Sequence, residues 1–298
     1  MLVPYEKPAL NPEQQLQRLI SRGLDVEDKE SALVSLGSIS YYRLSGYWYP
    51  YRQDKGKSND LIAGTKFNDV LRLYEFDRHL RLLVMDAVER IEVHIRALIA
   101  DRLGHVYGTF GHTESGNFHP QANHAGWLRK LGEEASRSKD CFISHYKNKY
   151  INFPILPIWV TTEIMSLGSL SFCYKGMKHD DKRYISAQFG IHHKRLQDWL
   201  HKLTYIRNVC AHHARLWNRE LAIRPGAVRD PEWNAPITPR KDRIFYILLI
   251  LRTLLRATNN GVHWAERCNM LIDTSIHEKH FFYAMGIPEN WKQHPIWK

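Results

Sequence analysis

From Thr65 to Leu103 the chain contains neither glycine nor proline. Within that stretch Leu73, Phe76, Leu80, Leu83, Ala87, Ile91 and Leu98 recur at steps of three, four or seven. Such spacing places apolar side chains on one face of a helix and leaves no alternation that a strand could use. An unbroken helix here spans about 55 Å at 1.5 Å per residue. Helices beyond about 25 residues are unusual in compact domains, so a break or kink is compatible with the pattern as well. Either way, the chain must be built around a long helical arm.

The rest of the periodicity agrees. A second stripe follows Pro157, a residue suited to a first helical turn, and runs through Val160, Ile164, Leu167, Leu170 and Tyr174. A third comprises Leu196, Trp199, Leu200, Leu203, Ile206 and Cys210; a fourth spans about 243–256 and a fifth 262–272. No alternating run is bounded by a tight hairpin turn, so the predicted class is all-α. With no internal repeat, residues 1–298 read as one domain. Its expected parts are an N-terminal helical segment (1–64), a core (65–225) and a C-terminal helical extension (226–298). Between Gly104 and Gly126 lie five glycines and four histidines (His105, His112, His119, His124), which reads as a long loop.

Forty-two Lys and Arg against 31 Asp and Glu give a formal charge of +11. That excess suits a polyanionic partner such as nucleic acid, although ordinary soluble proteins can be equally basic. The four cysteines stand singly, with no C-x-x-C pair, which argues against a structural zinc site or a disulfide framework. The first residues lack a charged start followed by an apolar run, and the most apolar segment, Ile244 to Leu251, is far shorter than the ~20 residues of a membrane span. A cytoplasmic protein without membrane attachment is expected.

The stretch TYIRNVCAHHARLWNRE, residues 204–220, carries the most chemistry. Arginine followed by histidine after four to six intervening residues is by itself cheap. Chance predicts about four such pairs in this composition and the chain has five. Context distinguishes Arg207 and His212, which close the third helical stripe. Asn208 and His212, four apart, share a helix face, whereas Arg207 and His212 lie about 140° apart around the axis. Three arrangements reconcile them: a helix end near His212, an Arg side chain that reaches around, or completion of the site by another chain. RNA cleavage without a metal needs a base for the 2′-hydroxyl, an acid for the 5′-oxygen and positive charge for the phosphorane. Histidine suits the proton transfers and arginine the phosphorane. One Arg–His set is thin for this work, and two sets across a two-fold axis would be adequate.

The segment IRNVCAHHARLWNR resembles the signature of bacterial abortive-infection proteins of the AbiD/AbiF type, phage-defence proteins related to the HEPN superfamily of helical ribonucleases. SISYYRLSGYWYP (38–50), LYEFDRHLRLLVMDAVERIEVHIRALIA (73–100), PIWVTTEIMSLGSLS (157–171) and MGIPENWKQHPIW (285–297) are similar to further segments of that family, in the same order. The resemblance implies a HEPN-like helical bundle with a long central helix, acting as a homodimeric, metal-independent endoribonuclease that needs no cofactor. Arg207 and His212 would be its catalytic pair, Asn208 the polar residue after the arginine, and His213 an accessory neighbour. It also implies a toxic activity held in check, with a small structured RNA as a possible restraining partner.

Other residues carry two readings each. Glu89, Glu92 and Arg96 stack along the long helix, either as intrahelical ion pairs or as carboxylates that orient Arg207 or His212 from across the bundle. Glu163 has the same two readings. Arg215 and Arg219 could grip phosphates beside the scissile one, and Trp217 between them could do so or anchor the helix end. Lys147 and Lys149 in HYKNKY form a basic, aromatic surface candidate. Arg43 lies in the aromatic YYRLSGYWYP, which could stack bases or plug a core. The paired histidines 192–193 and 212–213 are poor metal ligands, since neighbours point to different sides of a helix and no H-E-x-x-H accompanies them. A catalytically silent RNA-binding or scaffold protein remains the rival to the enzyme.

Overall fold

A computed structural model describes Pro4, Glu6 and residues 8–54, 58–258 and 261–298. Among these residues every regular element is helical, and pairing between extended segments is confined to three isolated bridges. The chain is all-α, as the periodicity predicts. The N-terminal segment forms α1 (Pro12–Ile20), α2 (Lys29–Ile39) and α3 (Tyr41–Trp48), and α4 follows as Phe67–Tyr107. Next come α5 (His124–Arg137), α6 (Cys141–Lys149), α7 (Ile158–Ile164), α8 (Leu167–Gly176), α9 (His179–Ala187) and α10 (His193–Ala211). The remainder is α11 (Pro231–Asn234), α12 (Ile244–Leu255), α13 (Gly261–Ser275) and α14 (Lys279–Met285). None of these helices is long and apolar enough to cross a membrane.

Helix α4 runs for 41 residues without a break, four residues beyond the predicted end. Its buried stripe is Leu73, Phe76, Leu80, Val84, Ala87, Val88, Ile91, Ile95, Ile99 and Leu103. Leu83 and Leu98, assigned to the stripe from sequence, are only half-buried. The seven-residue step from Ile91 to Leu98 drifts about 20° from an ideal helix, whereas the steps of four through Ile95 and Ile99 stay on the covered side.

Two compact units divide the chain: residues 1–80 with 273–275, and residues 81–272 with 276–298. In the first, Asn11 and Gln14 close a reciprocal capping box over α1, whose first helical residue is Pro12. The unit buries Leu16, Leu19, Leu36, Leu44, Tyr47, Trp48 and Phe76. Asp77, fully buried, accepts a 2.7 Å hydrogen bond from the Tyr47 hydroxyl. A buried carboxylate is tolerated only with such donors around it.

In the second unit α10 packs on α8 and α9, and α5 on α7 and α8. Helix α12 is the most apolar element. Ile244 through Leu251, with Leu254 and Leu255, are all buried, each contributing roughly 1.5–3 kcal/mol. The stripe read after Pro157 as one helix is two, α7 and α8. Met165 leaves the helix, and the Ser166 side chain accepts the Ser169 N–H as the N-cap of α8. The glycine- and histidine-rich stretch, read as a loop from 104 to 126, is largely built. Helix α4 takes 104–107, two 3₁₀ turns span Gly111–Thr113 and Ser115–Asn117, and α5 starts at His124. His112 and His124 are buried there, and the His124 Nε2–H donates to the His112 carbonyl at 2.8 Å.

Candidate functional site

The segment around Arg207 occupies the C-terminal end of α10. Leu196, Trp199, Leu200, Leu203, Ile206, Val209 and Cys210 turn inward, which leaves Asn208 exposed and Arg207 half-buried. The helix stops at Ala211, so the expected helix end near His212 is present. His212 is the C-cap, with φ −87° and ψ 13°, and its N–H still donates to the Asn208 carbonyl at 3.0 Å. The reversal comes one residue later, at His213, whose φ is +54°. The His213 N–H donates to Cys210 C=O at 2.9 Å and the Ala214 N–H to Val209 C=O at 3.0 Å. Those two bonds define a Schellman motif with histidine where glycine is usual. His212 and His213 are both exposed.

The Arg207 Nη1 donates to the Oδ1 of Asn208, the residue that shares a helix face with His212, at 3.3 Å. Arg207 also lines a groove of about 530 Å³ with α4 residues that include Asp86, Glu89, Glu92 and Arg96. Glu92 is the carboxylate that matters electrostatically. Burial pushes its carboxyl above the usual range, while the positive charges of Arg96 and then Arg207 pull it back. Arg96 is the hub of this cluster. Its Nη2 donates to Glu92 Oε1 at 3.0 Å and to the Met165 carbonyl at 3.1 Å, and its Nη1 stands 3.8 Å from Glu163 Oε2.

Glu92 and Arg96 make the intrahelical pair, and Glu92 also bears on Arg207 across the groove. Glu163 reaches the cluster through Arg96, and Glu89 lines the groove as an exposed carboxylate. The Met165 carbonyl was not legible as a partner. Its signal was the polar Ser166, whose capping role breaks the helix and frees the preceding carbonyl.

The remaining candidates scatter. Trp217 is buried and packs on Phe281 with ring centroids 5.4 Å apart, which makes it an anchor rather than a phosphate contact. Arg215 and Arg219 are half-buried, and the Arg219 Nε donates to the Arg215 carbonyl at 2.8 Å. Lys147 and Lys149 are exposed at the end of α6. Arg43 is exposed on α3, in the first unit, where Tyr47 and Trp48 fill the core and Tyr42 faces solvent. Among the described residues no three His, Cys, Asp or Glu side chains are gathered as a metal site.

Comparison with curated proteins and with solved structures finds no match. The family model described as Abi-like protein matches residues 35–218, which takes in the long helix, the Trp159–Glu163 segment and the whole end of α10. Because that match spans well over half of the chain and ends just beyond the Arg207–His212 segment, the chain belongs to the Abi-like protein family.

Proposed function

We propose that this Abi-like protein is a metal-independent endoribonuclease of the HEPN type, acting in phage defence by abortive infection or in a toxin–antitoxin-like system. The observation that carries the reading is the bond from Arg207 to Asn208. It links the guanidinium to the residue that shares a helix face with His212, the C-cap of α10. In this reading Arg207 stabilises the charge that develops on the phosphorane, His212 transfers the proton, and Asn208 holds the guanidinium between them. Glu92 and Arg96 position Arg207 from α4, and Arg96 is itself held by Glu163 and the Met165 carbonyl. His213, Arg215 and Arg219 flank the strand.

Attack by the 2′-oxygen on the adjacent phosphorus expels the 5′-oxygen. The products are therefore a 2′,3′-cyclic phosphate and a 5′-hydroxyl. One chain offers one histidine for two proton transfers, so we propose a homodimer in which two copies of the α10 end face a single RNA strand. A small structured RNA is the proposed restraining partner of the resting enzyme.

The test is cleavage of RNA by the purified protein in excess EDTA, beside His212→Ala and Arg207→Ala. Activity that persists in chelator, falls by roughly 10² or more in both variants and leaves cyclic-phosphate ends supports the reading. Loss of activity with chelator, or its survival in both variants, refutes it. Unchanged RNA affinity and cellular toxicity in His212→Ala would assign the protein instead to silent RNA binding.

A further inference from the structure

At the opposite end of α10 from His212 lies a pocket of about 420 Å³, lined by Lys182, Lys175, His119, Gln197, Asn123 and Phe172 among others. Backbone pairing joins two of its walls. The His119 N–H donates to the Gly176 carbonyl at 2.8 Å, within an isolated bridge between Phe118 and Met177. A Cβ on Gly176 would come within 3.2 Å of the Ala122 Cβ, so the two segments approach closely there.

The charge inventory is one-sided. Lys182 is only 6% exposed, yet its Nζ meets two neutral acceptors, the Lys175 carbonyl at 3.2 Å and Gln197 Oε1 at 3.4 Å. The adjacent carboxylate, Asp181, is fully engaged by Arg102 and Tyr107, at 2.7 and 2.8 Å. Desolvation pushes the Lys182 ammonium below its ordinary range, and no carboxylate among the described residues offsets it. Around it the imidazoles of His119, His179, His193 and His192 follow one another with ring centroids 5.7, 5.5 and 4.3 Å apart. A buried cation without a counter-charge is costly, and its neighbourhood favours an anion.

We propose that this pocket binds a nucleotide, with its phosphate on Lys182, Lys175 and His119. The exposed ring of Phe172 offers a stacking face for the base. The amides of Gln197 and Asn123 offer donors and acceptors to its edge. The volume falls within the ~300–1,000 Å³ typical of small-ligand sites. The same chemistry serves a free nucleotide or one nucleotide of an RNA strand. The inference does not rest on RNA cleavage at Arg207 and His212.

The test is calorimetric titration of the full chain with 5′-AMP, with adenosine and with a 2′-O-methyl hexanucleotide, which 2′-hydroxyl chemistry cannot cut. Saturable binding of 5′-AMP names a free nucleotide, and binding of the hexanucleotide alone names a strand. Either must weaken roughly tenfold or more in Lys182→Met, which removes the ammonium from a side chain of similar length. Gln197→Glu supplies the missing negative charge 3.4 Å from Nζ. It is expected to raise the thermal midpoint of the free protein and to abolish binding, even if Lys182→Met fails to fold. Equal binding of adenosine and 5′-AMP, unchanged affinity in Gln197→Glu, or no binding of either phosphate-bearing probe overturns the proposal. None of these results depends on catalysis, so failure here and failure of the ribonuclease reading are separately visible.

Discussion

Substituting His213 by glycine and, separately, by alanine isolates the energetics of the turn that ends α10. Both variants lose the imidazole and whatever it touches, so their difference reports the backbone alone. His213 has φ +54° and closes the helix through its bond to Cys210 and the following bond to Val209. A left-handed conformation costs a residue with a Cβ about 1–2 kcal/mol. Glycine avoids that cost but gives up roughly 0.5–1 kcal/mol through the greater freedom of its unfolded chain. The glycine variant is therefore expected to be about 1 kcal/mol more stable than the alanine variant, or about 2 °C in thermal midpoint for a chain of this size. Thermal unfolding followed by circular dichroism, with urea midpoints as a second measure, reads the difference. A glycine variant no more stable than the alanine variant refutes the reasoning. RNA cleavage by the same two proteins then tests the role of the imidazole. Loss in both, alongside a gain in stability for glycine, would place His213 among strained residues kept for function.

Arg96→Ala removes the donor to Glu92 and to the Met165 carbonyl and leaves Glu92 without its first opposing charge. The expected loss is about 2–3 kcal/mol in urea unfolding, partly recovered when Glu92→Gln is added. Without Arg96 the Glu92 carboxyl rises further above its unfolded value. The defect should therefore be larger at pH 8, where the buried group must ionise, than at pH 5, and a pH-independent defect would contradict this. His112 gives the opposite kind of pH dependence. Burial, and then the charge of His124, push its imidazole down to about 4. The unfolded chain takes up the proton first, so stability is intact above about pH 6.5 and is lost as pH falls toward 4, by roughly 3 kcal/mol. His112→Gln should flatten that part of the stability profile, and an unchanged slope would refute the assignment. Tyr107→Phe removes a 2.8 Å hydrogen bond to the buried Asp181 carboxylate, at a cost of about 1.5–3 kcal/mol. In the wild-type protein burial, and then that bond, hold the Tyr107 hydroxyl at about 12, which ultraviolet titration against the Phe variant would detect.

Local periodicity made most helices legible, because an apolar stripe on a Gly- and Pro-free segment has few alternatives to a helix. Helices α4, α10, α12 and α13 appear where the spacing puts them. Ser166 misled, since a serine within an apolar stripe looks like a solvent-facing helical residue until its side chain is seen capping the next helix. His213 was hidden for a related reason. The left-handed position after a helix is read from glycine or asparagine, and histidine gives no such notice. Arg207, Asn208 and His212 were legible as a group through their spacing and their family resemblance, but which way the arginine turns depends on α4. Lys182 could not be read at all. Its pocket joins residues 119–123, 172–182 and 197, and its lack of a counter-charge follows from Asp181 being taken by α4.

The charge of Arg207 bears on Glu92 of α4 across the groove, where burial makes that carboxylate expensive to keep ionised. A phosphate arriving at the exposed end of α10 would offer the guanidinium a forked, charge-assisted contact and would repel Glu92. Asn208 then acts as more than a spacer. Being neutral, it accepts from the Arg207 Nη1 without competing for the charge, which an aspartate in its place would do. On the proposed ribonuclease function, the arrangement would keep the arginine oriented and leave its strongest electrostatic bond for the RNA phosphate. In the ribonuclease reading this explains why the residue after the arginine is an amide, and why the carboxylates sit one helix away.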